Sequence, residues 1–88
     1  MSEITTSKEF KDIVNDLNIK QFDGALNRLS KLSTIHPNDY YILKLFASIY
    51  FKKSEWNNAL KYYKKLLMFN RDKFKVYNNL GLIFFNLG

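Results

Sequence analysis

The sequence of 88 residues repeats part of its own pattern with a period of 34 residues. The segment Ala59–Tyr63 follows Ala25–Leu29 one period later, since each begins with alanine and leucine and ends on a large side chain. An aromatic residue, Trp56 or Phe22, lies three positions before each alanine. A fixed period in this range indicates stacked helical repeats, each burying its apolar face against its neighbours.

Hydrophobic spacing predicts five helices. Apolar residues recur at i, i+3, i+4 and i+7 in five segments with short connections, and no segment alternates with period two over the length of a strand. We therefore expect an all-α fold of antiparallel helix–turn–helix units. The positions expected to be buried are Phe10, Ile13, Val14 and Leu17, then Phe22, Ala25, Leu26, Leu29 and Leu32, then Leu43, Phe46, Ala47 and Tyr50, then Trp56, Ala59, Leu60, Tyr63, Leu66 and Leu67, and finally Val76, Tyr77, Leu80, Gly81 and Phe84.

Polar residues mark where three of these helices begin. Thr6, followed three residues later by Glu9, fits a capping box in front of the first helix. Asn38 or Asp39 can cap the third helix, because both side-chain types accept a bond from a free backbone N–H. Asp72 can cap the fifth helix in the same way.

The helical units resemble the tetratricopeptide repeat, whose signature is W-x2-L-G-x2-Y, then A-x3-F, then P. The turn inside the first unit is predicted to be one residue shorter than the turn inside the second. The matching positions are Tyr77, Leu80, Gly81 and Phe84 in a third unit, Leu43, Phe46, Ala47, Tyr50, Ala59 and Tyr63 in a second with Arg71 in place of proline, and, more weakly, Phe10, Ile13, Val14, Leu17, Ala25, Leu29 and Pro37 in a first.

This resemblance implies a short right-handed superhelix of about two and a half repeats. Residues 1–6 would be a flexible N-terminus. Residues 7–37 and 38–71 would be the first and second repeats. Residues 72–88 would be the first helix of an incomplete third repeat.

The resemblance also implies a function, the binding of another protein. In this family the first helices of successive repeats line a concave groove that accepts a peptide. Lysines and asparagines beside aromatic residues suit an acidic peptide with apolar anchors, although the same residues can be simply the solvated side of these helices. Mapped onto this sequence, the groove is lined by Lys11, Asn15, Tyr41, Lys44, Leu45, Ser48, Phe51, Lys52, Lys75, Asn79, Leu82 and Phe85.

Some members of the family hold the acidic C-terminal tail of heat-shock chaperones with a carboxylate clamp. Lys11 and Asn15 match the lysine and asparagine of that clamp in the first repeat, and Lys75 matches a lysine in the third. Leu45 and Asn79, however, stand where the clamp has an asparagine and a basic residue. Without those two donors the bidentate carboxylate geometry is incomplete, and we do not expect a full clamp.

The net charge of +6 favours acidic partners. It is equally consistent with an ordinary solubilising surface. Lys61, Lys64 and Lys65, with Tyr62 among them, superficially resemble a single-strand nucleic-acid binder. A run of charge on the outer side of a helix is ordinarily a solvated face, and nucleic acid therefore ranks last among the expected partners.

The fifth helix carries a second candidate surface, a stripe formed by Leu80, Ile83, Phe84 and Leu87. Four such side chains left in water would forgo roughly 1.5–3 kcal/mol each. Helical arrays normally end on a helix with a polar outer face. Two readings stay open: the chain is the N-terminal part of a longer array, or it forms a homo-oligomer through this stripe.

Other classes of function have little support in the sequence. Cysteine is absent, and no nucleophile–base pair, metal cluster or glycine-rich phosphate loop accompanies the single histidine, His36. We therefore expect no catalysis, metal or cofactor in this chain, although repeats of this kind are often docking arms of larger transferase-type enzymes. No apolar run reaches the roughly 18 residues of a membrane span, and residues 1–6 lack a secretory pattern, which favours a cytoplasmic protein.

Overall fold

A computed structural model of the chain describes residues 7–88, and these residues form five α-helices and no strand. The all-α fold predicted from hydrophobic spacing is thereby confirmed. Thr6 and the expected flexible segment 1–6 lie outside the described residues. The chain divides into two compact units, of which unit 1 ends at Ile42 and unit 2 runs Leu43–Gly88. The helices are α1 (Lys8–Asn18), α2 (Phe22–Ile35), α3 (Tyr40–Lys52), α4 (Trp56–Leu66) and α5 (Lys73–Leu87).

In unit 1, α1 packs closely against α2. Ile13 of α1 and Ala25 and Leu29 of α2 are completely buried. Val14, in contrast, is 36% exposed, and its predicted place in the buried stripe of α1 is wrong. The reason lies in the turn that joins the two helices.

The turns after α1 and α3 share one pattern of backbone hydrogen bonds, shifted by 34 residues. The N–H of Gln21 donates to the carbonyl of Asp16 at 2.7 Å, and the N–H of Glu55 donates to the carbonyl of Tyr50 at 2.9 Å. A bond from an N–H group to the carbonyl five positions earlier is typical of the Schellman motif, which closes the C-terminal end of a helix. The residues with positive φ in these turns are Lys20 at 60° and Ser54 at 58°. The two turns have equal length, and the prediction of a shorter first turn is wrong.

The shared turn geometry corrects the alignment of the first repeat by one residue. Ile13, and not Val14, corresponds to Ala47 one period later, and Ile13 and Ala47 are both completely buried. Val14 corresponds to Ser48. Because neighbouring helix positions differ by about 100°, a shift of one residue moves Val14 off the packed face of α1.

In unit 2, α4 packs closely against α5, and aromatic rings join α3 to α4. The rings of Phe46 and Tyr62 stack with centroids 4.7 Å apart, and those of Tyr50 and Tyr62 with centroids 5.7 Å apart. Tyr63, on the next position of α4, is only 8% exposed, as its place in the repeat pattern predicts. The completely buried side chains of unit 2 are Ala47, Ile49, Ala59 and Ile83, and Leu66 is 2% exposed.

The buried face of α5 differs in part from the predicted one. Val76 and Leu80 are buried, as expected. Tyr77 and Phe84 are 58% and 53% exposed, and Gly81 lies beside them with open space above its Cα. The face of α5 that meets α4 is therefore rotated away from these three residues.

Side-chain capping begins α1 and α3. The hydroxyl of Ser7 occupies the N-cap of α1 and accepts a bond from the N–H of Phe10 at 3.1 Å. Of the two candidates for α3, Asp39 is the cap, since its Oδ1 accepts from the N–H groups of Tyr41 and Ile42 at 2.9 and 3.3 Å.

Asp72 precedes α5 but does not cap it with its side chain. Its backbone is left-handed, with φ of 49°, and its carboxylate makes no capping bond. One carboxylate oxygen instead lies 3.8 Å from Nζ of Lys44. Asp72 occupies the N-cap position of α5, but the prediction that its side chain caps the helix is wrong.

Replacement of Asp39 tests the capping assignment. Asp39→Ala should lower the free energy of unfolding by about 0.5–2 kcal/mol, because two N–H groups at the start of α3 lose their acceptor. The exposed neighbour Asn38 provides the control, and Asn38→Ala should change stability by less than about 0.5 kcal/mol. Urea denaturation followed by circular dichroism measures both, and equal midpoints for the two variants would contradict the assignment.

Candidate functional site

Tyr63 of α4 brings together residues of α3 and α5 that the sequence placed in one binding groove. The rings of Phe51 and Tyr63 meet edge to face, with centroids 6.3 Å apart. On the other side, Nδ2 of Asn79 donates a hydrogen bond to the Tyr63 hydroxyl at 3.2 Å. One buried side chain of α4 thus fixes Phe51 of α3 and Asn79 of α5 in the same neighbourhood.

An ion pair links α3 to the start of α5. Nζ of Lys44 and Oδ2 of Asp72 lie 3.8 Å apart, and their side chains are 50% and 46% exposed. A pair this exposed contributes at most about 1 kcal/mol to stability. Lys44 can consequently exchange Asp72 for a carboxylate supplied by a ligand at little cost.

Phe51 is held from two sides. Besides Tyr63, its ring meets the indole of Trp56 edge to face with centroids 5.3 Å apart. Trp56 and Tyr63 were expected only as core residues, and their contacts with Phe51 connect helices, where no local sequence pattern signals them. Phe51 is therefore a fixed, half-buried part of the surface.

The other predicted groove residues of unit 2 range from half-buried to exposed. Phe85 is 84% exposed and Leu82 is 47% exposed, so both offer apolar surface to a partner. Half-buried positions are Leu45, Ser48 and Asn79, and exposed lysines are Lys44, Lys52 and Lys75. The surface therefore combines cations with apolar side chains.

The predicted groove residues of unit 1 have different surroundings. Lys11 and Asn15 are exposed on α1. Tyr41 is half-buried, and its ring meets those of Phe10 and Tyr40 edge to face at 6.5 and 5.3 Å. The aromatic surface of Tyr41 is thus partly used within unit 1.

The corrected register of α1 changes which residues of α3 correspond to Lys11 and Asn15. Asn15 corresponds to Ile49, which is completely buried, and not to Ser48. Lys11 corresponds to Leu45. This register does not support the predicted place of Asn15 in the groove or the first-repeat match to a carboxylate clamp, and the groove assignments of Lys11 and Asn15 stay predictions.

The stripe predicted for self-association is divided by the packing of α5. Leu80 and Ile83 are 7% and 0% exposed. Phe84 and Leu87 are 53% and 41% exposed. Because α4 packs against α5, the exposed apolar face of α5 cannot include Leu80 and Ile83, and that part of the prediction is wrong.

The lysines of α4 contact an aromatic ring that is already occupied. Nζ of Lys61 and Nζ of Lys65 lie 5.5 and 5.1 Å from the centroid of Tyr62, within cation–π range. The same ring stacks on Phe46 and Tyr50. These contacts do not support a free platform on which nucleic-acid bases would stack.

Burial raises the pKa of Tyr63 above its usual value, although the hydrogen bond from Asn79 acts in the opposite direction. Burial likewise raises the pKa of Tyr62, and the nearby Tyr50 adds to the shift. Both hydroxyls are therefore neutral at physiological pH, and the charge of the surface around Tyr63 comes from lysines and Asp72.

Unit 1 has a separate open cleft of about 220 Å³. Its lining residues are Glu9, Arg28, Lys31, Leu32 and Ile35. Nε of Arg28 lies 3.0 Å from Oδ2 of Asp16, so its charge is balanced within the unit. Within residues 7–88 no three His, Cys, Asp or Glu side chains are grouped to hold a metal ion, and no helix has the length and apolar character needed to cross a membrane.

Removal of the Tyr63 hydroxyl tests its role in joining α5 to α3. Tyr63→Phe should lower the free energy of unfolding by about 0.5–1.5 kcal/mol, because Asn79 loses its acceptor while the ring is retained. Tyr77→Phe removes a hydroxyl from a 58% exposed ring of the same unit and should have little effect. Urea denaturation of both variants at neutral pH gives the comparison, and equal losses would argue against a specific role for Tyr63.

The dependence of stability on alkaline pH provides an independent check of the environment of Tyr63. The folded pKa of Tyr63 is raised, so its contribution to stability is complete below the unfolded value of about 10 and is lost as pH rises through the folded value. The parent should therefore lose stability above about pH 10, and Tyr63→Phe should lose less over the same interval. Parallel curves for the two proteins would contradict the cause assigned to the shift.

Residues 47–88 match the family model described as TPR repeat. The comparisons found no match among curated proteins and none among solved structures. The matched segment contains residues 47–52 of α3 and all of α4 and α5, including Tyr63 and both of its partners. Repeats of this kind generally mediate protein–protein interaction and are typically non-catalytic. Residues 47–88 are thus similar to the tetratricopeptide-repeat family, in agreement with the 34-residue period and the motif positions.

Proposed function

We propose that the chain is a protein-interaction module that binds an extended acidic peptide with apolar anchors on one surface of unit 2. We call this surface the α3–α5 face. It consists of Lys44, Phe51, Lys52, Lys75, Asn79, Leu82 and Phe85. The observation that carries the proposal is the contact of Tyr63 with both Phe51 and Asn79, which supports a single surface built from two helices.

The charge of these two helices supports an acidic ligand. Neither α3 nor α5 contains an aspartate or a glutamate. Lys52 and Lys75 are exposed, and Lys44 lies 3.8 Å from the half-exposed Asp72 in an ion pair that is open to solvent. A carboxylate that approaches the α3–α5 face therefore meets cations that can form charge-assisted hydrogen bonds, without repulsion from acids on the same helices.

Rigidity supports binding by a preformed surface. The ring contacts of Phe51 with Trp56 and Tyr63 fix one wall, and the bond from Asn79 fixes the other. A surface that is ordered before binding loses little conformational entropy on binding, so most of the ordering cost falls on the peptide. Leu82 and Phe85 then provide exposed apolar contact area beside the cations.

Charge reversal tests the proposal. In the double variant Lys44→Glu, Lys75→Glu, affinity for an acidic peptide should fall by about ten-fold or more, since two exposed charge contacts of up to about 1 kcal/mol each are lost and replaced by repulsion. The probes are fluorescent nonapeptides in which aspartate or glutamate alternates with leucine or phenylalanine, and the measurement is fluorescence anisotropy. The matched control is Lys61→Glu, Lys64→Glu, which makes the same change in net charge on α4.

The pair of variants separates local binding from general attraction. Equal losses in both would mean that the peptide responds only to net charge, and the α3–α5 face would not be its site. Unchanged affinity in the Lys44, Lys75 variant would also reject the assignment. A fluorescent single-stranded oligonucleotide that binds more tightly than the peptides would favour nucleic acid as the partner.

A further inference from the structure

Helix α5 carries an exposed apolar stripe that borders the α3–α5 face. The stripe consists of Phe74, Tyr77, Gly81 and Phe84, and we call it the outer stripe. Its spacing of three, four and three residues aligns these positions on one side of the helix. Leu82, a residue of the α3–α5 face, lies about 140° from Tyr77 around the helix axis, whereas Phe85 of the same face lies about 20° from Phe74.

The three aromatic rings of the outer stripe are unusually exposed. Phe74 is 85% exposed, Tyr77 58% and Phe84 53%. With about 150–250 Å² for each buried aromatic side chain, they leave roughly 300–500 Å² of aromatic surface in water. A specific interface buries about 800 Å² on each partner, and Phe85 and Leu87 on the two flanks bring the available area close to that value.

Unit 2 shows that the equivalent positions of α3 are covered. One period before Tyr77, Gly81 and Phe84 lie Leu43, Ala47 and Tyr50. Leu43 and Ala47 are 3% and 0% exposed, and Tyr50 stacks on Tyr62 of the following helix at 5.7 Å. The same positions on α5 therefore have the chemistry of a helix-packing face.

Gly81 adds a geometric argument. A Cβ built at this position meets nothing within 4 Å, so no packing inside the chain requires glycine here. Glycine in the middle of a helix is otherwise destabilising. Between two exposed aromatic residues it leaves a notch that admits another helix at close range.

We infer that the outer stripe binds the outer stripe of a second copy of this chain, with two α5 helices crossing in antiparallel at Gly81. The stripe is self-complementary about a two-fold axis at that residue. Gly81 of one copy faces Gly81 of the other, and the aromatic rings on either side of it lie beside those of the second copy.

The charges on α5 agree with the antiparallel arrangement. Lys73 and Lys75 lie at the N-terminal end, and the last turn carries no basic or acidic side chain. In an antiparallel pair the lysines of the two copies are separated by roughly the 22 Å length of the helix. Each pair then lies near the negative C-terminal end of the other helix dipole.

Phe85 flanks both surfaces, but the test of this inference uses no peptide, so the dimer and the peptide site can fail separately. An interface of this size predicts a weak dimer, with Kd on the order of 100 µM. Sedimentation equilibrium of the 88-residue chain from about 10 µM to about 1 mM should show the mass rising from monomer to dimer. A monomer throughout this range would overturn the inference.

Two variants locate the interface. Phe84→Glu places a charge in the outer stripe and should raise Kd at least ten-fold. Leu82→Glu changes a residue of similar exposure on the other side of α5 and should leave Kd unchanged while weakening the acidic peptide. A dimer that persists in Phe84→Glu, or that is lost in Leu82→Glu, would contradict the assignment.

Gly81→Leu distinguishes a specific crossing from general hydrophobic attraction. Leucine forms helices more readily than glycine, and a Cβ at this exposed position meets nothing within 4 Å, so the fold should be retained. Added apolar surface would strengthen a non-specific association, whereas it would hold the two helices apart at a close crossing. We expect Kd to rise at least ten-fold, and an unchanged or lower Kd would reject the crossing at Gly81. Circular dichroism and urea denaturation of each variant confirm that the change in mass reflects association.

Discussion

The arrangement of unit 2 depends on two neighbouring tyrosines of α4. Residues next to each other in a helix point about 100° apart, so Tyr62 and Tyr63 reach different partners. Tyr62 stacks on Phe46 and Tyr50, and Tyr63 meets Phe51. One turn of α4 therefore holds α3 at several points along its length through ring contacts. The position of the α3–α5 face follows, because the Tyr63 hydroxyl also binds α5.

Much of the fold could be predicted from sequence because the pattern is repeated. The period fixes the number of helices, and Ala47, Ala59 and Tyr63 are buried as the repeat pattern requires. Choices between chemically equal neighbours could not be predicted. Asn38 and Asp39 are both good N-caps, and only the positions of the backbone N–H groups show that Asp39 acts.

For α1 and α5 the sequence is compatible with more than one rotation of the helix about its own axis. The sequence alone could not decide which rotation is adopted. In α1 the apolar spacing fits either Ile13 or Val14 as the inward position, and the turn bonds select Ile13. In α5 apolar residues cover most of the circumference, so Leu80 and Phe84 are equally good candidates until the contact with α4 is known. The hydrogen bond between Tyr63 and Asn79 joins residues sixteen positions apart on separate helices, and no local sequence pattern predicts it.

The matched turns after α1 and α3 have a consequence for how the repeat tolerates change. Lys20 and Ser54 share the left-handed position of the turn, yet one is a long cation and the other a small hydroxyl. The turn is closed by amide and carbonyl groups, which every residue supplies except for the missing N–H of proline. Side chains at these positions can therefore differ between the two repeats, within the limits set by a left-handed backbone, while the backbone bonds keep the 34-residue spacing.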